Sequence, residues 1–201
     1  MLRKNPYLLF MVLLPISFIP WILGGDFTTH VMYVSTFYLL LPALIGKVMG
    51  FEPSELGLKF PNKRGWELFA VLFILSIPLS LYGTAIPSMK GYYPIFEYAG
   101  WSDFLLKELL IGLVMLAHEA FYRGFLLFPL ARKNVWLAVF LQDIPYTIVH
   151  IGKPAIEVPY AFIAGIIFAK MDLEGESFVP SFLLHWLGSA LFDVLCVVLT
   201  P

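Results

Sequence analysis

Four residues of this chain could activate a water molecule in apolar surroundings: Glu119, His150, His185 and Ser189. A carboxylate within reach of a water can take its proton, and an imidazole can hold that water in place; Glu119 and His150 suit these two roles. A neutral imidazole and a hydroxyl can donate together to the oxyanion formed on an attacked carbonyl, which suits His185 and Ser189. Asp193 cannot stabilise an oxyanion while ionised, but it can orient His185 and fix its tautomer. Arg123 stands four residues after Glu119 and can pair with it across one helical turn. A metal variant uses the same atoms: Glu119, His150 and His185 would make a His₂Glu set with an open position for water, as catalytic zinc requires. The helix pattern of zinc proteases is missing, because Tyr122 stands where its second histidine should be. The favoured expectation is a metal-free site with no cofactor. Nucleophilic catalysis has no support, since Cys196 lies in an apolar run and no serine sits in a Gly-x-Ser-x-Gly turn.

The elements that must hold these groups are membrane helices. Of 201 residues 60% are hydrophobic and 13% charged, with a mean hydropathy of +0.83. A soluble domain of this length lacks the polar surface to cover so much apolar area. Disorder is excluded by the aromatic content of 17%, and nucleic-acid binding by 13 Lys/Arg against 14 Asp/Glu with no basic block. Crossing a hydrocarbon core takes about 20 apolar residues. Seven stretches are candidates: Tyr7–Gly24, Val31–Val48, Trp66–Ile86, Phe104–Leu130, Val135–Ile151, Val158–Ala169 and Phe178–Thr200. The predicted fold is an all-α polytopic bundle of about seven spans, a single membrane-embedded domain over 1–201. Lys/Arg gather before the first span and after the second, fourth and sixth, which places the N-terminus in the cytoplasm. The segment Gly50–Gly65 reads as interfacial, and the aromatic loop Pro87–Asp103 as an interfacial belt.

Ionisable residues concentrate in three of the spans. Each costs about 2.5–3.5 kcal/mol at the bilayer centre, so each needs a partner or a task. Asp143, Tyr146 and His150 are spaced by 3 and 4 residues and share one helical face. Ser181, His185, Ser189 and Asp193 recur every 4 residues as a drifting stripe. Rise along the helices, ~1.5 Å per residue, allows Glu119, His150, His185 and Ser189 to lie at one depth. Structural readings exist for each alone: a Glu119–Arg123 salt bridge, an interfacial His150, a packing hydrogen bond at His185. Small residues at Ala161, Gly165 and Ala169 imply close helix packing, inside the bundle or between protomers.

Three blocks resemble the CAAX prenyl protease and bacteriocin-processing (CPBP, or Abi) family of intramembrane proteases. The family's Glu-Glu-x-x-x-Arg motif is matched by His118-Glu119-Ala120-Phe121-Tyr122-Arg123. Its Phe-x-x-x-His is matched by Tyr146-Thr147-Ile148-Val149-His150, and its His-x-x-x-Asn by His185-Trp186-Leu187-Gly188-Ser189. The order and spacing agree over about 104–193. Two positions depart: His118 replaces the first glutamate, the family's favoured water-activating residue, and Ser189 replaces the asparagine.

The resemblance implies an intramembrane endopeptidase, with Glu119, His150, His185 and Ser189 catalytic and His118, Arg123, Tyr146 and Asp193 supporting. The partners it implies are membrane lipid and a peptide or lipidated-peptide substrate, in a prokaryotic plasma membrane. Two other readings compete with it. One is a non-catalytic, immunity-like binder of the same fold, suggested by the departures at His118 and Ser189. The other is an ion-coupled transporter, disfavoured by the lack of an inverted repeat.

Overall fold

The structure, a computed structural model, describes residues 4–199. Helices account for most of it, and among the described residues no strand occurs beyond an isolated bridge between Ile151 and Lys153. We name the long helical stretches in chain order. They are α1 Pro6–Leu23, α2 Phe27–Val48, α3 Lys63–Thr84, α4 Trp101–Glu119, α5 Val135–Ile148, α6 Glu157–Gly175 and α7 Val179–Val198. Helix α4 runs on through a π-helical segment, Ala120–Leu127, and a last turn, Phe128–Ala131.

The starts of these helices follow from their sequences. Asn5 accepts from the Tyr7 and Leu8 amides at 3.0 and 3.1 Å, Asp26 from Thr29 at 2.8 Å, Asn62 from Gly65 at 3.0 Å and Asn134 from Leu137 at 3.0 Å. Each side chain thus satisfies amides that an α-helix leaves unpaired at its first turn.

Four of the helices, α1, α2, α3 and α7, are long and apolar enough to cross a membrane, which marks an integral membrane protein. Helix α5 is apolar but shorter, while α4 and α6 carry acidic and basic side chains within their length. Helix α3 stands at the periphery. Gly65 is its only buried residue, and Val71, Ile74, Leu75 and Leu79 are exposed. Its inner side, Leu68, Phe69, Leu72 and Phe73, packs on Phe168 and Met171 of α6 and Leu184 of α7. In lipid there is little hydrophobic gain from helix association, so close packing supplies it. Gly65 and Gly175 are opposed so closely that a Cβ added to either would lie 2.9 Å from the other's Cα.

The main core surrounds the π-helical segment. Phe121, Tyr122, Leu126 and Leu127 from it are fully buried with Leu9 and Leu13 of α1, Tyr38 of α2 and Ala138 and Val139 of α5. A second π-helical stretch, Ser35–Leu40, lies within α2, and its Tyr38 stacks on Phe121 at 4.6 Å between ring centres. The Tyr38 hydroxyl donates to the Ser17 carbonyl, which ties α2 to α1.

Two sequence expectations are refined. Ala161, Gly165 and Ala169 are buried inside the bundle, and Gly165 faces Asp143 and Tyr146 of α5. The aromatic loop is only partly a surface belt: Tyr92, Tyr98 and Trp101 are exposed, whereas Phe96 folds inward onto Phe104 and Ile111. The 50–65 segment holds a short 3-10 turn, Pro53–Leu56, closed by Gly57 at φ +71°, where a residue with a Cβ would be strained. Glu55 in that turn bridges Lys4 at 3.1 Å and Arg132 at 2.8 Å, fastening the start of α1 to the end of α4.

Candidate functional site

Glu119 ends the regular part of α4 and is completely buried. From here the helix loosens into the π-helical segment, in which the Phe128 amide reaches five residues back to the Arg123 carbonyl. Arg123 is also fully buried, with Nε 3.1 Å from Glu119 Oε2. Its guanidinium lies over the Tyr146 ring at 4.1 Å and near that of Phe168 at 5.6 Å, so two aromatic faces add to the carboxylate's hold on it. The other carboxylate oxygen, Oε1, is 2.6 Å from His185 Nδ1 on α7 and 3.7 Å from His118 Nδ1. Both oxygens of Glu119 therefore have cationic or imidazole neighbours.

His118 and His185 meet this carboxylate, and His150 joins the cluster through His118. His118 is the hub, its ring centre 5.7 Å from His185, 6.1 Å from His150, 5.2 Å from Tyr146 and 4.8 Å from Tyr122. Its Nδ1 is buried without a hydrogen-bond partner. His150 Nδ1 is 2.8 Å from the Tyr146 carbonyl. A carbonyl can only accept, so Nδ1 carries the hydrogen and Nε2 is left with its lone pair. The same reasoning applies to His185, where the Glu119 carboxylate accepts from Nδ1 and Nε2 is left free. The tautomers of both rings are thus set by their neighbours.

The stripe on α7 reaches three levels rather than one site. Ser181 Oγ donates to Asp172 Oδ2 at 2.5 Å, holding α7 to the end of α6. His185 meets Glu119, and Ser189 lies one turn further on, partly buried. Asp193, two turns beyond His185, lies against Glu108 of α4 and not against the imidazole; the carboxylate that orients His185 is Glu119. Asp143 and Tyr146 on α5 and His150, two residues past its end, are all buried, with 0%, 2% and 7% exposure. Asp143 faces Gly165, whose missing side chain makes room for its carboxylate.

Three polar residues at these levels escape the sequence reading. Glu108 stands within the Phe104–Leu130 run, where a charge among apolar residues was the available signal. Asp172 lies just past the end of the sixth apolar run, and Tyr38 has no polar stripe to announce it. Among the described residues, the set with atoms close enough to share a metal ion is His118, Glu119 and His185, whose ligand atoms lie within 4.8 Å of one another. That differs from the expected Glu119, His150 and His185, because His118, the residue just before Glu119 on α4, brings its Nδ1 to 3.7 Å from the carboxylate.

Fold and site together define a helical membrane protein with a buried carboxylate–imidazole centre. Residues 100–191 match the family model described as Type II CAAX prenyl endopeptidase Rce1-like, and this stretch contains all three motifs. The resemblance carried by those motifs is thereby shown for that stretch, a little under half of the chain. No curated protein and no solved structure matches the chain.

Proposed function

We propose that the protein is an intramembrane endopeptidase that hydrolyses a peptide bond of a membrane-associated or lipidated peptide, in a bundle of about seven crossings with its N-terminus in the cytoplasm. The observation that carries this reading is the 2.6 Å contact between Glu119 and His185 at the buried meeting point of α4, α5 and α7. Support comes also from the endopeptidase family matched over 100–191.

In this reading a water lies among Glu119, His150 and His185. Its oxygen attacks the carbonyl carbon while its proton passes to the Glu119–His185 pair. His150, held through its Nδ1 hydrogen, keeps a lone pair for positioning the water. Ser189 donates to the oxyanion of the tetrahedral intermediate, and a preorganised donor of this kind is worth ~3–4 kcal/mol of barrier in a water-poor site. The proton then moves to the leaving nitrogen, the C–N bond breaks, and a carboxylate and an amine depart. Arg123 pairs with Glu119 and holds it in place, and the Tyr146 ring packs against the Arg123 guanidinium.

The test is a census of new peptide termini in membranes that contain either the wild type or Glu119→Gln. The variant keeps the size of the side chain, so termini should appear with the wild type alone. Identical termini with both proteins, each present at equal level, would end the proposal.

A further inference from the structure

The basic residues near the 50–65 segment fall into two groups. Lys59, Lys63 and Arg64 each stand beside a carboxylate of their own, Glu176 at 2.6 Å, Glu67 at 3.6 Å and Glu174 at 3.1 Å. Lys4, Arg132 and Lys133 instead line one cavity of about 170 Å³, where Glu55 is the acid among the lining residues. We propose that this cavity binds the phosphate group of an anionic phospholipid from the adjoining leaflet. The inference goes beyond the peptidase reading and does not depend on it, since none of these residues touches Glu119.

The charge of the cavity is in surplus. Glu55 bridges Lys4 at 3.1 Å and Arg132 at 2.8 Å, so one negative charge is set against three positive ones. Lys133 has no ion pair among the described residues. Arg132 spends Nη1 on Glu55 and keeps the rest of its planar fork, a shape that suits phosphate oxygens. Membrane topology alone asks for Lys and Arg in these loops. It does not ask the start of α1 and the end of α4 to bring three of them to one cavity.

The cavity is also built rather than loose. Lys4 has a left-handed backbone at φ +57°, costly for a residue with a Cβ, and its amide donates to the Met49 carbonyl at 2.8 Å. Such a conformation persists where the surroundings impose it, and here it holds Lys4 at Glu55. Pro6 in the first turn of α1 and Pro129 in the last turn of α4 give stiff walls.

The surroundings favour a lipid over a free anion. Tyr7 and Met11 are exposed one turn apart on α1 and lead from Pro6 into the apolar length of the helix, a course open to an acyl chain. Trp136, three residues after Lys133, is exposed as an indole at headgroup level would be.

The experiment uses the full chain in detergent, with phosphatidylglycerol, phosphatidylcholine or inorganic phosphate added separately or in competition. Native mass spectrometry counts retained lipid, and the thermal midpoint reports folding. We expect one phosphatidylglycerol per chain, held in preference to phosphatidylcholine, whose choline cancels the phosphate charge, and not displaced by an equal concentration of inorganic phosphate. Lys133→Gln should weaken retention ~5-fold, the usual contribution of one cation at an anionic membrane surface, without moving the midpoint. Lys63→Gln, at an exposed cation outside the cavity, should retain the lipid as the wild type does. The lipid competition on the wild type needs no substitution, so a variant that fails to fold does not decide the matter. Equal retention of the two lipids would overturn the proposal, as would equal weakening by Lys133→Gln and Lys63→Gln. Displacement of phosphatidylglycerol by inorganic phosphate would overturn it too, and would assign the cavity to the free anion.

Discussion

Gly165 offers a perturbation whose sign can be worked out from the structure. Gly→Ala in a helix interior ordinarily stabilises by ~1 kcal/mol, since glycine loses more backbone freedom on folding. At Gly165 the new methyl group would overlap the Asp143 carboxylate and come within 3.1 Å of Tyr146 Cδ1. Neither neighbour can retreat easily: Asp143 and Tyr146 are 0% and 2% exposed, and Tyr146 carries the Arg123 guanidinium at 4.1 Å. Overpacking of this kind costs ~1–3 kcal/mol. The net expectation is a loss of up to ~2 kcal/mol, or several degrees in thermal midpoint for a chain of this size. Gly188→Ala is the paired control, because nothing lies within 4 Å of its added Cβ; it should be neutral or stabilising. Thermal unfolding in detergent compares the two. The double variant Gly165→Ala/Asp143→Ala removes the obstacle and should recover part of the loss, a coupling readable as a double-mutant cycle. Gly165→Ala raising the midpoint as much as Gly188→Ala would refute the packing of α6 against α5 described above.

Two further predictions concern charge. Arg123→Lys should not be conservative: an ammonium cannot reproduce the planar stack on Tyr146 or the side-on contact with Glu119, and a buried pair broken on one side costs ~3–5 kcal/mol. Expression and thermal midpoint would report this, and a midpoint equal to wild type would contradict it. Outside the membrane helices, the Glu52 amide, then Arg132 and Lys4, hold the Glu55 carboxyl down to about 2. Its contribution is therefore complete above the ordinary carboxylate value of 4.5 and lost as the pH falls through about 2. Glu55→Gln should cost ~1 kcal/mol at pH 7 and almost nothing near pH 2, and an equal cost at both would show that the ion pairs are idle.

The sequence makes the helices and the level of the site legible for simple reasons. Apolar runs are long, Asn and Asp mark their starts, and an ionisable side chain in lipid is costly enough to stand out. Spacing on one helix also predicts a shared face, as Asp143 and Tyr146 show; His150 is buried with them although the helix has already ended at Ile148. What spacing cannot supply is the partner on another helix. Asp193 and His185 share a stripe, yet α4 presents Glu108 to one and Glu119 to the other. The role of His118 was hidden likewise, since adjacent residues on a regular helix point about 100° apart and only the assembled rings show it at the centre.

The π-helical segments carry a consequence for how the chain can vary in length. A segment whose amides reach back five residues holds one residue more than the α-helix it interrupts, as a single insertion would leave it. Removing one residue between 120 and 127 would restore a regular helix and leave Phe128–Ala131 facing the same way, whereas a deletion in the regular part of α4 would turn them by about 100°. The Arg132 that anchors the 50–65 segment through Glu55 would keep its direction in the first case and lose it in the second. Ser35–Leu40 is a second segment of this kind, and its Tyr38 stacks on Phe121 of the first. A one-residue shortening is therefore open to the chain at these two segments and closed to it in the regular helices that flank them.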